Sequence, residues 1–421
     1  MSKYDNPWIA RLAVPGVVVL IAFLSYSSQL LFEYLAPGPL SKHQKIRFNV
    51  LVACIWISYA RTCRTDPGRV PEYWLRDQAE EKADAERKPR TRYCRKCDAI
   101  KPPRSHHCKV CKRCIPQMDH HCPWTSNCVS HFTIPHFMRF LFYATTSMVY
   151  LEYFLYIRAA EVWDARNMPA YHGPTVWQLV HLFVLIMTNS LTLFVVGIML
   201  CRGIYMITTN VTTIEGWEIE RHQQLLRRAR VMGGYLDGPD GIRVKIDKHE
   251  FPYDIGFWGN LRDNMGTWNI LAWFWPFAAG VKTDGLTFET NGFEDPGQTW
   301  PPPDPDRMPR APRALDAKNA FTYRHNGLSP EEELRAFKER QQADLVRRKA
   351  FGGRFDQETN EPIESDDLES DDDINGEEGW QDSGGNRLED YGVDEGVEFY
   401  DEDDVPIAEL IRRRERRFQQ E

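Results

Sequence analysis

The chain has 421 residues and a net charge of −8, with 52 Lys and Arg against 60 Asp and Glu. That length allows more than one domain, and no nucleic-acid partner is expected. The mean hydropathy is that of a soluble protein, but the average hides two unlike halves. Long apolar runs fill the first 210 residues, and the last 120 are polar, acidic and rich in Pro and Gly.

In chain order, Leu12–Leu31 is long enough to cross a bilayer as a helix. A cleaved signal peptide is the rival reading, but no small-residue cleavage site follows. Phe48–Tyr59 is the weakest candidate, since an apolar run of that length is more often a buried core helix. Phe137–Ile157 and Val176–Leu200 are stronger spans. Loop charge decides the count. The loop from Arg61 to Arg113 is crowded with Lys and Arg, whereas Ala36–Arg47 and Arg158–Thr175 carry few. Basic loops stay on the cytosolic side, which makes the weak second run a span. The expectation is a mainly α integral membrane protein with four transmembrane helices and both termini cytosolic. That topology keeps the sequon at Asn210-Val211-Thr212 cytosolic and unmodified.

Between the second and third spans, seven of the ten cysteines fall from Cys94 to Cys128. Clustered CxxC pairs with interleaved histidines read as metal ligands, and zinc thiolates need a reducing compartment. The segment repeats every 14 residues: Cys94, Cys97, His107 and Cys114 shift onto Cys108, Cys111, His121 and Cys128. Each set offers three thiolates and one imidazole, the closed tetrahedral set of structural zinc. Two interleaved zinc sites are expected. A third unit would need a cysteine where Thr125 stands, so Cys122 is spare, and so are Asp119 and His120. Spacing leaves two readings open. The spare residues pack against the zinc core of a membrane-anchored binding module, or they do chemistry. For the second, an imidazole beside a thiol can take its proton, and a carboxylate can hold that imidazole.

The run Asp119-His120-His121-Cys122 resembles the DHHC family of protein S-acyltransferases, the palmitoyltransferases. So do "DPG" at Asp66–Gly68, "TTIE" at Thr212–Glu215 and "NLRDNMG" at Asn260–Gly266. The resemblance runs from the first span to about Phe277. It implies a two-step transfer of a palmitoyl group from palmitoyl-CoA, through a thioester on Cys122, to cysteines of membrane proteins. His120 is then the general base and Asp119 the residue that orients it. The two zinc ions are structural, and Asp66, Thr213 and Asn260 belong to scaffold motifs. Trp124 and Ser147 are candidates to line the acyl pocket. After Cys128, Ser130 and Thr133 stand where the family usually has Gly and Asn. "CVSHFTIPHFMRF" and "PYDIGFWGN" are similar to the fungal branch that acts on chitin synthase in the endoplasmic reticulum. That branch implies a multi-pass protein of that membrane, with the lipid bilayer, acyl-CoA and substrates with juxtamembrane cysteines as partners.

Past the fourth span, the aromatic stretch Thr267–Phe277 is expected at the bilayer interface. A Pro-rich linker starts near Pro301, and charged helices are expected over 328–351 and near the C-terminus. The acidic stretch between them cannot bury a core and is expected to be disordered. The expected organisation is two spans in 1–62 and a cytosolic loop in 63–136, with its zinc module at about 92–136. Two further spans occupy 137–200, a cytosolic region 201–300, and a mostly disordered tail 301–421.

Overall fold

The structure is a computed structural model. It describes residues 7–71, 93–167, 173–237, 243–293, 300–305 and 381–394, apart from 95, 98 and 303, with only isolated residues elsewhere. The elements below belong to one compact unit formed by Met1–Pro309 and Trp380–Glu421.

Helix α1 (Pro7–Ala22) continues through a π-turn at Phe23–Ser27 into α2 (Ser28–Tyr34). At the widened turn the Ser27 and Ser28 hydroxyls donate to the carbonyls of Phe23 and Leu24, offering those groups an alternative partner. Helix α3 (Lys42–Arg64) starts at a capping box in which Ser41 and Gln44 exchange side-chain bonds. Helices α4 (Ile134–Asp164) and α5 (Val176–Thr209) follow the zinc module, and α5 opens on a second such box between Thr175 and Gln178. The apolar core of this bundle joins Leu31 and Phe32 of α2, Phe48 and Val52 of α3, Leu151 and Leu155 of α4, and Leu182 and Leu185 of α5.

Among the described residues, two segments are long and apolar enough to cross a membrane, Leu12–Tyr34 and Val176–Thr209. The outer surface of α5 leaves Phe183, Leu191, Phe194 and Ile198 exposed, a run of apolar surface of the kind that faces lipid. The four expected spans thus correspond to α1–α2, α3, α4 and α5, but only the first and last meet both criteria. Helix α3 begins at Lys42, six residues before the apolar run, because its N-terminal cap lies at Ser41.

The zinc module is three short antiparallel hairpins: β1 (Tyr93–Cys94) with β2 (Ala99–Ile100), β3 (His106–Cys108) with β4 (Arg113–Ile115), and β5 (His120–Cys122) with β6 (Asn127–Val129). The last two share one register. His107 pairs with Cys114, and 14 residues on His121 pairs with Cys128. Helix α6 (Thr213–Val231) is followed by the hairpin of β7 (Tyr235–Asp237) and β8 (Arg243–Lys245), then α7 (Phe257–Met265) and α8 (Ile270–Phe274). The aromatic stretch is tied down through its backbone. Arg139 donates to the carbonyls of Ala272, Trp273 and Ala278, and Arg61 to that of Pro276. Its side chains Trp268, Leu271, Trp275 and Phe277 stay exposed.

The expectation of disorder across the tail is corrected at residues 381–394. There the chain is folded and lies against the second zinc hairpin, with Leu388 and Val393 buried beside Cys108, Ile115 and Met118. An acidic composition does not exclude docking where apolar side chains at the right spacing meet a preformed cleft. The helices expected over 328–351 and at the C-terminus, and the rest of the acidic stretch, lie outside the described residues.

Candidate active site and metal centres

The eight expected ligands gather into two groups of four, Cys94, Cys97, His107 and Cys114, and Cys108, Cys111, His121 and Cys128. In the first, His107 Nδ1 lies 3.3, 3.2 and 3.9 Å from the three sulfurs. In the second, His121 Nδ1 lies 3.6, 3.6 and 3.4 Å from its sulfurs, and Cys111 and Cys128 are 3.4 Å apart. A zinc ion with bonds near 2.3 Å to sulfur and 2.0 Å to nitrogen spaces its ligands at about 3.7 Å, so both groups fit that ion. In each, the amide of the second cysteine points at the first sulfur: Cys97 N to Cys94 Sγ at 3.4 Å, and Cys111 N to Cys108 Sγ at 3.3 Å. Hydrogen bonds between the thiols lower Cys94 and Cys97 in the first group and Cys108 in the second, and raise Cys114 and Cys128, which share those bonds. Hydrogen bonding from Cys111 and Cys128 holds Cys108 at about 3, despite burial.

The spare residues meet in space. His120 Nδ1 is 2.6 Å from Asp119 Oδ2. The other carboxylate oxygen, Oδ1, accepts the Thr213 amide at 2.5 Å. That amide belongs to the first turn of α6, where unpaired N–H groups and the helix dipole favour an anion. Burial disfavours the Asp119 carboxylate, but His120 and Thr213 outweigh it and hold its pKa below the usual value. Burial likewise works against the His120 cation, but bonds to Asp119 and Cys122 push its pKa up to about 10. The Cys122 thiol is lowered against its own burial by His120 and then by the Thr125 hydroxyl and amide. The three groups thus form an acid–imidazole–thiol line in which each shift favours the charged form of its group, the kind of arrangement that can activate a thiol.

Around the thiol the surface is apolar. Cys122 is buried with Ile134, Phe137, Met138 and Leu141 of α4 and its approach, Met206 and Ile207 of α5, and Leu261 and Met265 of α7. The Phe137 ring stands edge-on to His120 at 6.1 Å. The two pocket candidates lie apart from this cluster. Trp124 is 56% exposed, and its carbonyl accepts from Tyr59. Ser147 is buried farther along α4 with no hydrogen-bond partner among the described residues.

The motif residues act as ties. Thr212 and Glu215 form a capping box at the start of α6, which explains a Thr and a Glu at that spacing. Glu215 also takes two bonds, 2.6 and 2.8 Å, from Arg104 of the zinc module, a pair almost wholly removed from solvent. Arg104 further donates to the Asn210 carbonyl and side chain. Asn210 is buried, ends α5 in a left-handed conformation and donates to Tyr253 O, so the sequon asparagine is sealed inside the protein. Asp66 accepts from Gly68 N and from Arg113 on β4. Gly68 has φ +93°, and a Cβ there would meet the Phe132 ring at 2.7 Å. The two departures from the family pattern are accommodated locally. The Ser130 hydroxyl donates to Pro67 O, and Thr133 Oγ1 donates to Cys128 O while accepting from Ser130 N. Asn260 is fully buried, donating to Thr208 O and Asp254 and accepting from Ile255 N. Sequence reading missed Arg104 and Asn210 as ties, because partners more than a hundred residues away leave no local pattern.

Two interleaved Cys/His clusters and an acid–histidine–thiol line define a class, a cysteine-centred site built on a zinc-type scaffold. The family model described as DHHC palmitoyltransferase matches residues 87–220. The chain is 51% identical to Palmitoyltransferase pfa4 of Emericella nidulans, with 97% of each chain covered. It is 50% identical to the protein of that name from Aspergillus fumigatus, over 96% of this chain and 98% of the relative. It is 44% identical to Palmitoyltransferase PFA4 of Gibberella zeae, over 97% of both. The chain belongs to the DHHC palmitoyltransferase family and is a protein S-palmitoyltransferase.

Proposed function

We propose that Cys122 is the residue that carries the palmitoyl group. The observation that supports it is the hydrogen-bonded line from the α6 amide through Asp119 and His120 to a spare thiol on an apolar floor. In the first step the Cys122 thiolate attacks the thioester carbonyl of palmitoyl-CoA. The tetrahedral intermediate expels the CoA thiolate, which takes the proton from the His120 imidazolium. Neutral His120 then accepts the proton of the substrate thiol. The resulting thiolate attacks the Cys122 thioester, and the Cys122 thiolate leaves, restoring the starting ion pair. Asp119 stabilises the imidazolium and fixes its Nδ1 tautomer throughout. A bound zinc ion in each cluster would supply structure only, since all four positions are taken by Cys94, Cys97, His107 and Cys114, or by Cys108, Cys111, His121 and Cys128.

The setting is the cytosolic face of a bilayer. We read α1–α2, α3, α4 and α5 as four spans. Helices α3 and α4 have 23 and 31 residues, or about 35 and 46 Å, against a hydrocarbon core of about 30 Å. The exposed aromatic side chains of the α8 region then lie at the interface. An acyl chain gains about 0.8 kcal/mol per buried CH₂, and the apolar cluster beside Cys122 lies where it would enter. Trp124 and Ser147 remain candidates for its border and depth. The domain limits follow this topology: 1–62, 63–136, 137–200, 201–300 and the tail 301–421. Substrates are membrane proteins with juxtamembrane cysteines. Chitin synthase at the endoplasmic reticulum is the specific candidate, supported by the two stretches similar to that fungal branch.

Cys122→Ser in purified full-length protein with labelled palmitoyl-CoA is the test. Loss of the hydroxylamine-sensitive acyl-enzyme is expected, with two zinc ions retained per chain. A mutant that still forms that adduct refutes the assignment, and one that loses a zinc ion makes Cys122 a ligand.

A further inference from the structure

The tail segment 381–394 is not part of any motif that defines the acyl-transfer chemistry, yet it touches the zinc module at its most connected point. His107 and Cys108 are consecutive residues that belong to different ligand sets. Val393 forms an antiparallel bridge with Cys108. On either side of it the Asp394 amide donates to His107 O at 3.1 Å, and the Lys109 amide donates to Gly392 O at 2.9 Å. The tail thus adds a short third strand to the free edge of β3. Edge backbone groups of this kind readily pair with an extended segment.

Three further contacts fix the segment. Leu388 and Val393, both essentially fully buried, pack with Cys108, Cys128, Met118, Ile214 and Trp217. Asp394 pairs with Lys96, between the first two zinc ligands. Ser383 donates its amide at 2.8 Å and its hydroxyl at 3.3 Å to Glu220 of α6. The segment is also preorganised. Asp382 accepts the amides of Gly384 and Asn386 and the Tyr391 hydroxyl, folding the chain into a turn before the short helix Leu388–Tyr391.

Gly392 is the point of closest approach. Its φ is +82°, and a Cβ there would lie 2.7 Å from His121 Cβ. His121 stands between His120 and Cys122 on β5.

We propose that residues 381–394 are an in-chain positioning strap: by pairing with His107-Cys108 and packing on His121 they hold the second metal cluster, and through it the β5 hairpin that presents Cys122. The strap packs on Cys108 and on His121, the residue before Cys122, and acts through them. It couples the far end of the chain to the reacting hairpin.

The inference rests on the zinc and Cys122 assignments above, so its readouts separate from theirs. In full-length protein in detergent, Gly392→Val and, independently, Leu388→Asp are measured for zinc release to a chromogenic chelator and for single-turnover palmitoylation. Both variants should release one of the two zinc ions about tenfold faster, the effect of roughly one lost buried contact set. Acylation should slow by a similar factor, with the dependence on palmitoyl-CoA concentration unchanged. A synthetic peptide of residues 381–394 should restore both rates to a variant lacking those residues, and a scrambled peptide should not. Lys96→Ala, which removes one exposed tie without disturbing the core, should show a smaller shift of the same sign. Zinc release and acylation both within twofold of the parent in the first two variants would overturn the strap. So would faster acylation on its release, which would make the segment a brake. Wild-type protein without two zinc ions, or acylated elsewhere than Cys122, would instead refute the reading on which the strap rests.

Discussion

Hairpins β3–β4 and β5–β6 are two copies of one unit that have been given different work. Their registers match residue for residue at an offset of 14. Both turns place a non-glycine residue at positive φ, Lys112 at 54° and Ser126 at 49°. One copy reads Ser105-His106-His107-Cys108 and the other Asp119-His120-His121-Cys122. In the first, Cys111 stands beside Cys108, and both sulfurs join His121 in a ligand set. In the second, Thr125 occupies the equivalent place, so Cys122 has no second thiol and turns to His120 instead. The amide that faces the Cys108 sulfur in one copy, that of Cys111, has its counterpart in the Thr125 amide, which faces Cys122 in the other. The residue before the histidines differs as well. The Ser105 hydroxyl is spent on Pro102 O, whereas Asp119 bridges His120 and the start of α6. On the proposed reading, the reactive cysteine is a metal knuckle with its second ligand removed and a charge partner added.

That contrast can be broken from either side. The largest effect is expected from exchanging the roles of the two first cysteines. Cys122→Ser abolishes acyl-enzyme and leaves zinc at two per chain, whereas Cys108→Ser loses zinc from the second set and acylation with it. Metal analysis beside acyl labelling separates these outcomes, and equal zinc loss in both would end the distinction between copies. Next is Asp119→Asn, which keeps the shape but removes the charge holding the imidazolium. Single-turnover acylation should fall by about 10²-fold or more with both metals retained. An unchanged rate would mean that the α6 tie alone orients His120.

A smaller change comes from Thr125→Cys, which rebuilds the CxxC pair of the other copy. Such pairs oxidise readily, so acylation should drop about tenfold in air and recover with reductant. A variant indifferent to reductant would show that the two positions do not share the knuckle geometry. The mildest is Thr125→Val. Losing one hydroxyl bond to the thiolate costs about 1 kcal/mol, so the rate of Cys122 alkylation should fall only several-fold. No change there would confine the support of the thiolate to the amide and His120.

The sequence by itself determined the ligand sets and the spare thiol, because metal sites constrain residue type at fixed local spacing and a repeat exposes its own exceptions. The apolar runs marked only the middles of the long helices: α3 starts at Lys42, six residues before its run, and α5 continues to Thr209, nine residues past Leu200. Nothing in the sequence signalled that Thr213 N would hold Asp119, that Arg104 would be sealed against Glu215, or that residues 381–394 would return to the metal hairpin. Those contacts join positions 94, 111 and more than 280 residues apart. Only the tertiary structure decided them, because a donor and an acceptor far apart in the chain have no shared period or spacing until packing brings them together.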